Sequence, residues 1–144
     1  MRALGSIMKI HPRIGIGVCI LKDGKVLLGK RINAHGQGTW AFPGGHLEFG
    51  ETIAECAVRE VEEEAGMKIT SLRLGPFTED FFLEQGKHHI TIIMIADWYS
   101  GSPELREPHK CLEWAWFDWD QLPEPLFPTF ANLSKANINL KNYF

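Results

Sequence analysis

The chain has 144 residues, of which 44% are apolar and 23% are charged, and its formal net charge is −3. This composition is ordinary for a globular domain and excludes a disordered chain. A slightly acidic protein has no electrostatic attraction for nucleic acid polymers or anionic membranes, so we expect neither as a partner. We expect one domain over residues 1–144, with its core at about residues 14–138.

The cysteines indicate a reducing compartment. Cys19, Cys56 and Cys111 are odd in number and lack zinc or redox spacing. The first ten residues lack the apolar segment of a signal peptide, and the longest apolar stretch, Ile14 to Leu21, is too short to span a bilayer. We therefore expect a cytoplasmic protein.

The N-terminal part predicts a β-hairpin followed by a loop and a short strand. Asp23-Gly24 is a two-residue hairpin turn signal between two apolar runs. The expected elements are strands at Ile14–Lys22 and Lys25–Arg31, a polar loop at Asn33–Thr39 and a short strand at Trp40–Phe42.

The C-terminal part predicts longer strands and a final helix. Gly75-Pro76 indicates a bend in the first strand. His88 and His89 alternate between faces of the next strand, so they cannot share one metal ion. The expected elements are strands at Lys68–Leu83, His88–Tyr99 and Leu112–Phe117 and a helix at Thr129–Ile138. Together the patterns predict an α/β or α+β domain with one sheet and two helices.

The segment between these parts predicts an amphipathic helix. Thr52 and Glu55 form a capping box, and Gly66 is a stop signal. The apolar positions recur at helical spacing and predict one buried stripe, made of Ala54, Ala57, Val58, Val61 and Ala65.

Three carboxylates of this helix, Glu60, Glu63 and Glu64, are expected to share a face turned away from the stripe. They repel one another by about 0.2–0.5 kcal/mol per pair and lie near the helix C-terminus, where the macrodipole disfavours anions. We expect nothing on this face of the helix to compensate them. One interpretation is a solvated acidic face; the other is a site for a hard dication such as Mg²⁺.

The spacing of fixed residues decides between these interpretations. The chain fits G-x5-E-x7-R-E-U-x-E-E-x-G-U, where U is a bulky apolar residue, at Gly45, Glu51, Arg59, Glu60, Glu63, Glu64, Gly66 and Met67. In this motif the chain resembles the Nudix hydrolases, over roughly Ile14 to Pro123. The resemblance implies an α/β/α sandwich with a mixed β-sheet, the motif helix and the C-terminal helix lying on opposite sides.

The resemblance also implies a catalytic metal site for Mg²⁺, with Mn²⁺ as an alternative. Glu60 and Glu64, one turn apart, can reach one ion. Glu63 either binds the metal or takes the proton from water, and the carbonyl of Gly44 is implied as a further ligand. Arg59 is expected on a different side of the helix from the metal face, paired with Glu51 as structural support.

The expected substrate-binding residues come from several segments. The glycine pair Gly44-Gly45 allows close approach of backbone to substrate. Arg31 is preferred to Lys30 for phosphate, since neighbouring strand residues face opposite ways. The other candidates are Glu107, which the resemblance implies near the metal, Phe127 in the base pocket, and Thr91 and Lys110, which the resemblance places along the nucleotide.

Two stretches, Pro43–Glu51 and Arg106–Pro123, resemble the small cytosolic, MutT-like nucleotide-cleaving enzymes of plants and animals. That group includes hydrolases of oxidised and thiopurine nucleoside triphosphates and a plant enzyme acting on geranyl diphosphate. Phe42 departs from the smaller aliphatic residue common in the group.

The implied function is a Mg²⁺-dependent pyrophosphatase that converts a nucleoside triphosphate to the monophosphate and pyrophosphate, with a modified purine as one form of the base. Another nucleoside diphosphate derivative or an isoprenyl diphosphate is an alternative substrate. A non-catalytic nucleotide-sensing module is an alternative of a different class. The resemblance also implies a homodimer.

Overall fold

The computed structural model describes residues 10–144, and the expectation about a signal peptide falls largely on residues outside this range. The strands are β1 (Arg13–Lys22), β2 (Lys25–Arg31), β3 (Trp40–Ala41), β4 (Gly44–His46), β5 (Lys68–Phe82), β6 (Lys87–Ser100) and β7 (Cys111–Asp118). The α-helices are α1 (Ile53–Ala65) and α2 (Pro128–Lys135), and short 3₁₀ turns lie at Leu83–Gln85, Trp119–Gln121 and Leu140–Tyr143.

The seven strands form one mixed sheet. The main order is β3-β2-β1-β6-β5, and β4 and β7 pair with β1 and β2. Only the pairing of β1 with β6 is parallel within this sheet. The predicted hairpin turn is confirmed, since Asp23 (φ 50°) and Gly24 (φ 78°) both have positive φ, as a turn of this kind requires.

The two helices lie on opposite faces of the sheet, as predicted. On one face, Cys56, Ala57 and Val61 of α1 pack on strand residues that include Ile16 and Val18. On the other face, α2 packs Phe130 and Leu133 against Cys19, Ile93 and Ile95. Alternation along β1 therefore sends Ile16 and Val18 to one helix and Gly15, Gly17 and Cys19 to the other face.

The caps of α1 are those that the sequence predicts. Thr52 Oγ1 accepts from the N–H of Glu55 at 3.0 Å, and the Glu55 carboxylate accepts from the N–H of Thr52 at 2.8 Å. Gly66 ends the helix in the left-handed conformation, at φ 65°. The predicted stripe is partly wrong, because Ala54 and Val58 are exposed and Cys56 is buried instead.

Other boundaries need correction as well. The strand at Gly44–His46 is absent from the sequence prediction, because two glycines carry no strand propensity and pair only through the context of β1. The last helix ends at Lys135 and not at Ile138. The bend in β5 is confirmed by a register shift between Leu74 and Phe77. Within residues 10–144, no helix has the length and apolarity needed to cross a bilayer.

Candidate active site

The glycine pair of β4 brings this strand into contact with both β1 and α1. A Cβ atom on Gly44 would overlap the carbonyl oxygen of Ile16, and one on Gly45 would overlap the carboxylate of Glu60. No other residue type fits at either position without displacing these atoms. The backbone of β4 therefore lies directly beside the acidic end of α1.

Glu64 is a part-buried carboxylate of the acidic face. Its Oε1 accepts a hydrogen bond from the N–H of Gly44 at 2.8 Å. Burial raises the pKa of Glu64 to about 8, and the charges of Glu60 and Glu107 add to the effect, while the Gly44 N–H and Arg31 oppose it. Burial also raises the pKa of Glu60. An ionised Glu64 at this position is thus costly in the absence of a cation.

Arg59 lies among carboxylates, so two expectations are wrong. Arg59 is not remote from the metal face, and the negative charge of that face is offset by its guanidinium. Its Nη1 is 2.7 Å from Glu60 and 3.3 Å from Glu63, and its Nη2 is 2.6 Å from Glu51. The long side chain bridges positions that a helical wheel separates. The pair with Glu51 is present, and the hydrogen bonds from Arg59 lower the pKa of Glu51 to about 2.

The chemistry of these donors fits a hard divalent cation. Glu60, Glu63 and Glu64 supply only carboxylate oxygens, the ligands that such cations prefer. The arrangement is not a closed site, since within residues 10–144 no three His, Cys, Asp or Glu side chains converge on one ion position. Glu60 Oε1 accepts from Arg59 and Glu64 Oε1 from Gly44, so an ion would replace or share these contacts. The structure shows the N–H of Gly44 in contact with Glu64, and a metal contact of its carbonyl stays a prediction.

Arg31 lies between the acidic face and an aromatic group. Its Nε donates to the carbonyl of His35 at 3.0 Å, and its guanidinium is 4.8 Å from the ring centre of Phe127. Burial lowers the pKa of Arg31, and the charge of Glu64 opposes this shift. Lys30 points elsewhere, with its Nζ 5.9 Å from the ring centre of Trp40.

The loop between β6 and β7 carries the two remaining charged candidates. The charge of Glu107 contributes to the raised pKa of both Glu60 and Glu64, which places its carboxylate near the acidic face. The carbonyl of Glu107 accepts from the N–H of Lys110 at 2.9 Å. Lys110 itself is exposed. Burial and the charge of Arg13 are the larger causes of the lowered pKa of His46, and the charge of Lys110 adds to them.

Two glycines leave space over β1 on the face of the sheet that carries Cys19 and packs against α2, and we refer to this space as the cleft. Gly15 and Gly17 are half-exposed although β1 is a central strand. Within the part of the chain that the structure describes, a Cβ on Gly15 would meet Thr91 Oγ1 at 3.8 Å, and a Cβ on Gly17 would meet Phe42 and Thr91 at 3.8 and 3.9 Å. These two glycines leave room for a flat group beside Phe42.

Aromatic and imidazole rings form the rim of the cleft. His46 and His89 lie with their Nε2 atoms 3.4 Å apart, whereas His88 stacks on Phe81 at 4.3 Å, so the two neighbouring histidines face opposite ways as predicted. The ring of Phe127 lies 5.6 Å from Phe82 and 5.7 Å from His35.

A buried polar cluster adjoins the cleft where β5, β6 and α2 meet. Asp80 is 1% exposed and accepts hydrogen bonds from Thr91 and Thr129, both at 2.7 Å, and from Asn132 at 2.6 Å. We refer to these four residues as the Asp80 cluster.

Sequence reasoning missed Gly15, Gly17, His46 and Asp80. The signals were the alternation of two glycines in β1 and of Thr78 and Asp80 in β5, which mark strand faces without an apolar lining.

A mixed sheet between two helices, with an acidic helix against a glycine strand, is the architecture expected of a Nudix protein. The chain matches the NUDIX domain family over residues 11–136. It is 39% identical over 120 residues to the ADP-ribose pyrophosphatase of Methanocaldococcus jannaschii, covering 82% of this chain and 69% of that protein. It is 34% identical over 107 residues to the oxidized purine nucleoside triphosphate hydrolase of Danio rerio, covering 74% of this chain and 66% of that protein.

A solved structure supports the same assignment. The MutT NUDIX hydrolase from Burkholderia pseudomallei is 33% identical, with a TM-score of 0.80, and the match covers 88% of this chain and 99% of that one. The chain spans a smaller share, 47%, of the NAD-capped RNA hydrolase NudC of Photorhabdus laumondii, to which it is 34% identical. The chain therefore belongs to the NUDIX family and is a Nudix hydrolase. Hydrolases of this family generally use divalent metal cations.

Proposed function

We propose that the protein is a Mg²⁺-dependent pyrophosphatase that hydrolyses a nucleoside triphosphate to the monophosphate and pyrophosphate. The observation that carries the proposal is the position of the acidic end of α1 beside Gly44 and Gly45 of β4, the strand that pairs with residues 15–17 of β1. Phosphates held at the carboxylates would leave the base in the cleft. The similarity to the Danio rerio enzyme, named for oxidized purine nucleoside triphosphates, favours a purine base.

The metal residues in this proposal are Glu60, Glu63 and Glu64, with Gly44 as a backbone ligand. A bound Mg²⁺, or Mn²⁺ in its place, would neutralise phosphate charge and lower the pKa of a bound water. Glu64 fits a metal site because burial raises the pKa of its carboxyl, so its ionised form is costly until a cation is bound.

The protein residues divide the remaining work. Glu63, which is 52% exposed, would either bind the metal or take the proton of the attacking water. Arg59 holds Glu51, Glu60 and Glu63 together and so fixes the geometry of the acidic face. Arg31 would contact a phosphate oxygen, since its side chain lies between Glu64 and Phe127.

The nucleoside contacts in the proposal are Thr91 at the cleft floor and Phe127 at its rim, with the backbone of Gly45 below the phosphates. Glu107 and Lys110 lie in the loop between β6 and β7, and the charge of Glu107 acts on both Glu60 and Glu64. Glu107 would support the metal region, and the exposed Lys110 would contact the nucleotide from the solvent side.

A second substrate, ADP-ribose, is favoured by one observation. The relative from Methanocaldococcus jannaschii, aligned over 82% of this chain, is named an ADP-ribose pyrophosphatase. The same carboxylates would serve for either substrate, because both reactions cleave a phosphoanhydride. The products differ, with AMP and ribose 5-phosphate released from ADP-ribose.

We further propose a homodimer that acts in the cytoplasm on small nucleotides. All three cysteines of the chain are free thiols, which suits a reducing compartment. Several large apolar side chains of β5 are exposed on an edge strand, namely Leu74, Phe77 and Phe81, and an unprotected edge of this kind favours pairing. Sedimentation at micromolar concentration should show a dimer, and monomer alone would contradict this part of the proposal.

The test of function is a substrate panel with product identification. Purified protein with Mg²⁺ is assayed on nucleoside triphosphates, including oxidised purines, on ADP-ribose and on an isoprenyl diphosphate. We expect monophosphate and pyrophosphate from a triphosphate. Cleavage of ADP-ribose alone would favour the second substrate, and binding of nucleotides without turnover of any would indicate a sensing module.

A further inference from the structure

We propose that Asp80 fixes Thr91 as a hydrogen-bond acceptor toward the cleft, so that the site selects bases that present an N–H donor. Asp80 is thus a positioning residue that acts on specificity through Thr91. The inference rests on the proposed function in one respect, namely that the base of a nucleotide lies over Gly15.

Asp80 accepts hydrogen bonds from three side chains. One carboxylate oxygen, Oδ2, accepts from the hydroxyls of both Thr91 and Thr129, and the other, Oδ1, accepts from the Asn132 amide. An ionised carboxylate only accepts hydrogen bonds. Each threonine therefore directs its single hydroxyl proton at Asp80.

Thr91 and Asn132 keep only hydrogen-bond acceptor capacity once they have donated to their partners. A threonine hydroxyl has one proton and two lone pairs, so Thr91 Oγ1 keeps only acceptor capacity. Asn132 donates through Nδ2 to Asp80 and, at 3.2 Å, to the carbonyl of Glu79. Both of its N–H groups are then in use, and its side-chain oxygen also remains as an acceptor.

Thr91 lies beside the space above Gly15. Among residues 10–144, and leaving aside the chain neighbours of Gly15, Thr91 Oγ1 is the one heavy atom within 4 Å of an ideal Cβ on Gly15, at 3.8 Å. The hydroxyl oxygen therefore borders the space that the missing side chain leaves. Thr129, by contrast, is 5% exposed and has no corresponding access to a ligand.

An acceptor at Thr91 Oγ1 distinguishes bases by whether their edge carries an N–H donor. An amino group or a ring N–H can donate to Thr91, whereas a base without any N–H offers this oxygen no donor. Thr91 is part-buried, and the net contribution of one hydrogen bond corresponds to about a 3- to 10-fold change in affinity. Adenine and guanine carry such donors; unsubstituted purine, attached to ribose through N9, carries none.

The variant that tests the direction of the hydrogen bond is Asp80→Asn. With the amide oxygen toward Asn132, the amide nitrogen stands where Oδ2 was and donates to Thr91 and Thr129. The hydroxyl of Thr91 then has its proton free for the cleft. The cluster keeps three hydrogen bonds, while the polarity that Thr91 presents is reversed.

The experiment measures binding and not turnover. Calorimetry in EDTA gives the affinities of AMP, GMP and purine riboside 5′-monophosphate for the wild type and for Asp80→Asn, Thr91→Val and Thr129→Val. We expect the wild type to prefer AMP or GMP over the purine nucleotide by about 3- to 10-fold. Thr91→Val should bring the ratio close to one, and Asp80→Asn should lower or invert it.

Thr129→Val is the matched control. It removes a hydrogen bond of the same length to the same oxygen of Asp80 but leaves Thr91 in place, so the ratio should stay at the wild-type value. An unchanged ratio in both Thr91→Val and Asp80→Asn overturns the inference, as does absence of binding by all three nucleotides. If only Asp80→Asn fails to fold, the result with Thr91→Val decides. Selective binding without hydrolysis of any triphosphate would refute the proposed reaction alone.

Discussion

Glu64 Oε1 accepts a hydrogen bond from the backbone N–H of Gly44, twenty residues earlier in the chain, at 2.8 Å. This contact joins the acidic end of α1 to β4, the strand that pairs with β1 below the cleft. A part-buried carboxylate with one backbone donor is poorly compensated, and burial raises the pKa of Glu64 to about 8. We therefore expect a cation bound at this face to stabilise the ionised form of Glu64.

Replacement of Glu64 by Gln should separate catalysis from folding. The amide oxygen can still accept from Gly44, but the negative charge is lost. We expect turnover with Mg²⁺ to fall by a factor of about 10² or more, with an unchanged circular dichroism spectrum. Glu62→Gln is the control, because Glu62 lies on the same helix and is exposed, and among residues 10–144 its carboxylate forms an ion pair with Lys68 alone, at 3.3 Å. Normal turnover of Glu64→Gln would show that the metal assignment is wrong.

Mg²⁺ should stabilise the folded protein through the acidic face. It binds the assembled carboxylates and not the unfolded chain, so the gain is about RT ln(1 + [L]/Kd). Glu63→Gln should shrink the rise in melting temperature on adding Mg²⁺. In EDTA this variant should melt only slightly above the wild type, because Arg59 at 3.3 Å already offsets the charge of Glu63.

The measurement is a thermal melt in EDTA, in Mg²⁺ and in sodium chloride of the same ionic strength. General screening acts on all exposed charges and does not require a site. Equal shifts from Mg²⁺ and from matched salt would mean that Glu60, Glu63 and Glu64 form a solvated acidic face.

The link between Glu51 and Arg59 should appear in the pH dependence of stability. The pKa of Glu51 is about 2 in the folded protein against 4.5 for the free group. A lowered carboxylate pKa contributes stability that is present above the unfolded value and is lost as the pH falls toward the folded value. Glu51→Gln should therefore melt below the wild type at pH 6 to 7, and the difference should shrink as the pH falls below about 4.5. A difference that is constant from pH 7 to pH 3 would rule out this linkage.

The sequence predicted α1 and the sheet more fully than it predicted the cleft. The capping box, the stop at Gly66 and the spacing of the glutamates are local features, and each is read within a few residues. The position of Arg59 was predicted wrongly because a helical wheel ignores the reach of a long side chain. The cleft depends on contacts between distant segments, such as Asp80 with Asn132, and a single sequence carries no direct signal for these pairs.

The short strand β4 illustrates the same limit. Gly44 and Gly45 have low strand propensity, and what holds them is the edge of β1 on one side and the carboxylates of Glu60 and Glu64 on the other. Their conformation is set by neighbours that fold against them. The motif predicted their chemical role from resemblance, while their place in the sheet required the tertiary structure.

The cleft itself can be tested by filling it. Gly15 has room for a side chain, since an added Cβ would meet Thr91 Oγ1 alone among the described residues outside its chain neighbours, at the ordinary contact distance of 3.8 Å, and valine suits a strand. Gly15→Val should therefore fold but occupy the space proposed for the base. We expect a large loss of nucleotide affinity, with the stabilisation by Mg²⁺ retained because the acidic face lies on the α1 side of the sheet.

Two thermal shifts measured on this one variant carry the test. The shift caused by a nucleoside monophosphate in EDTA should be lost in Gly15→Val and present in the wild type, whereas the shift caused by Mg²⁺ should be the same in both. Loss of both shifts would indicate damage to the fold near β4, which pairs with Gly15 through His46. A nucleotide shift equal to that of the wild type would mean that the base binds away from Gly15, and the proposed position of the nucleoside would then be wrong.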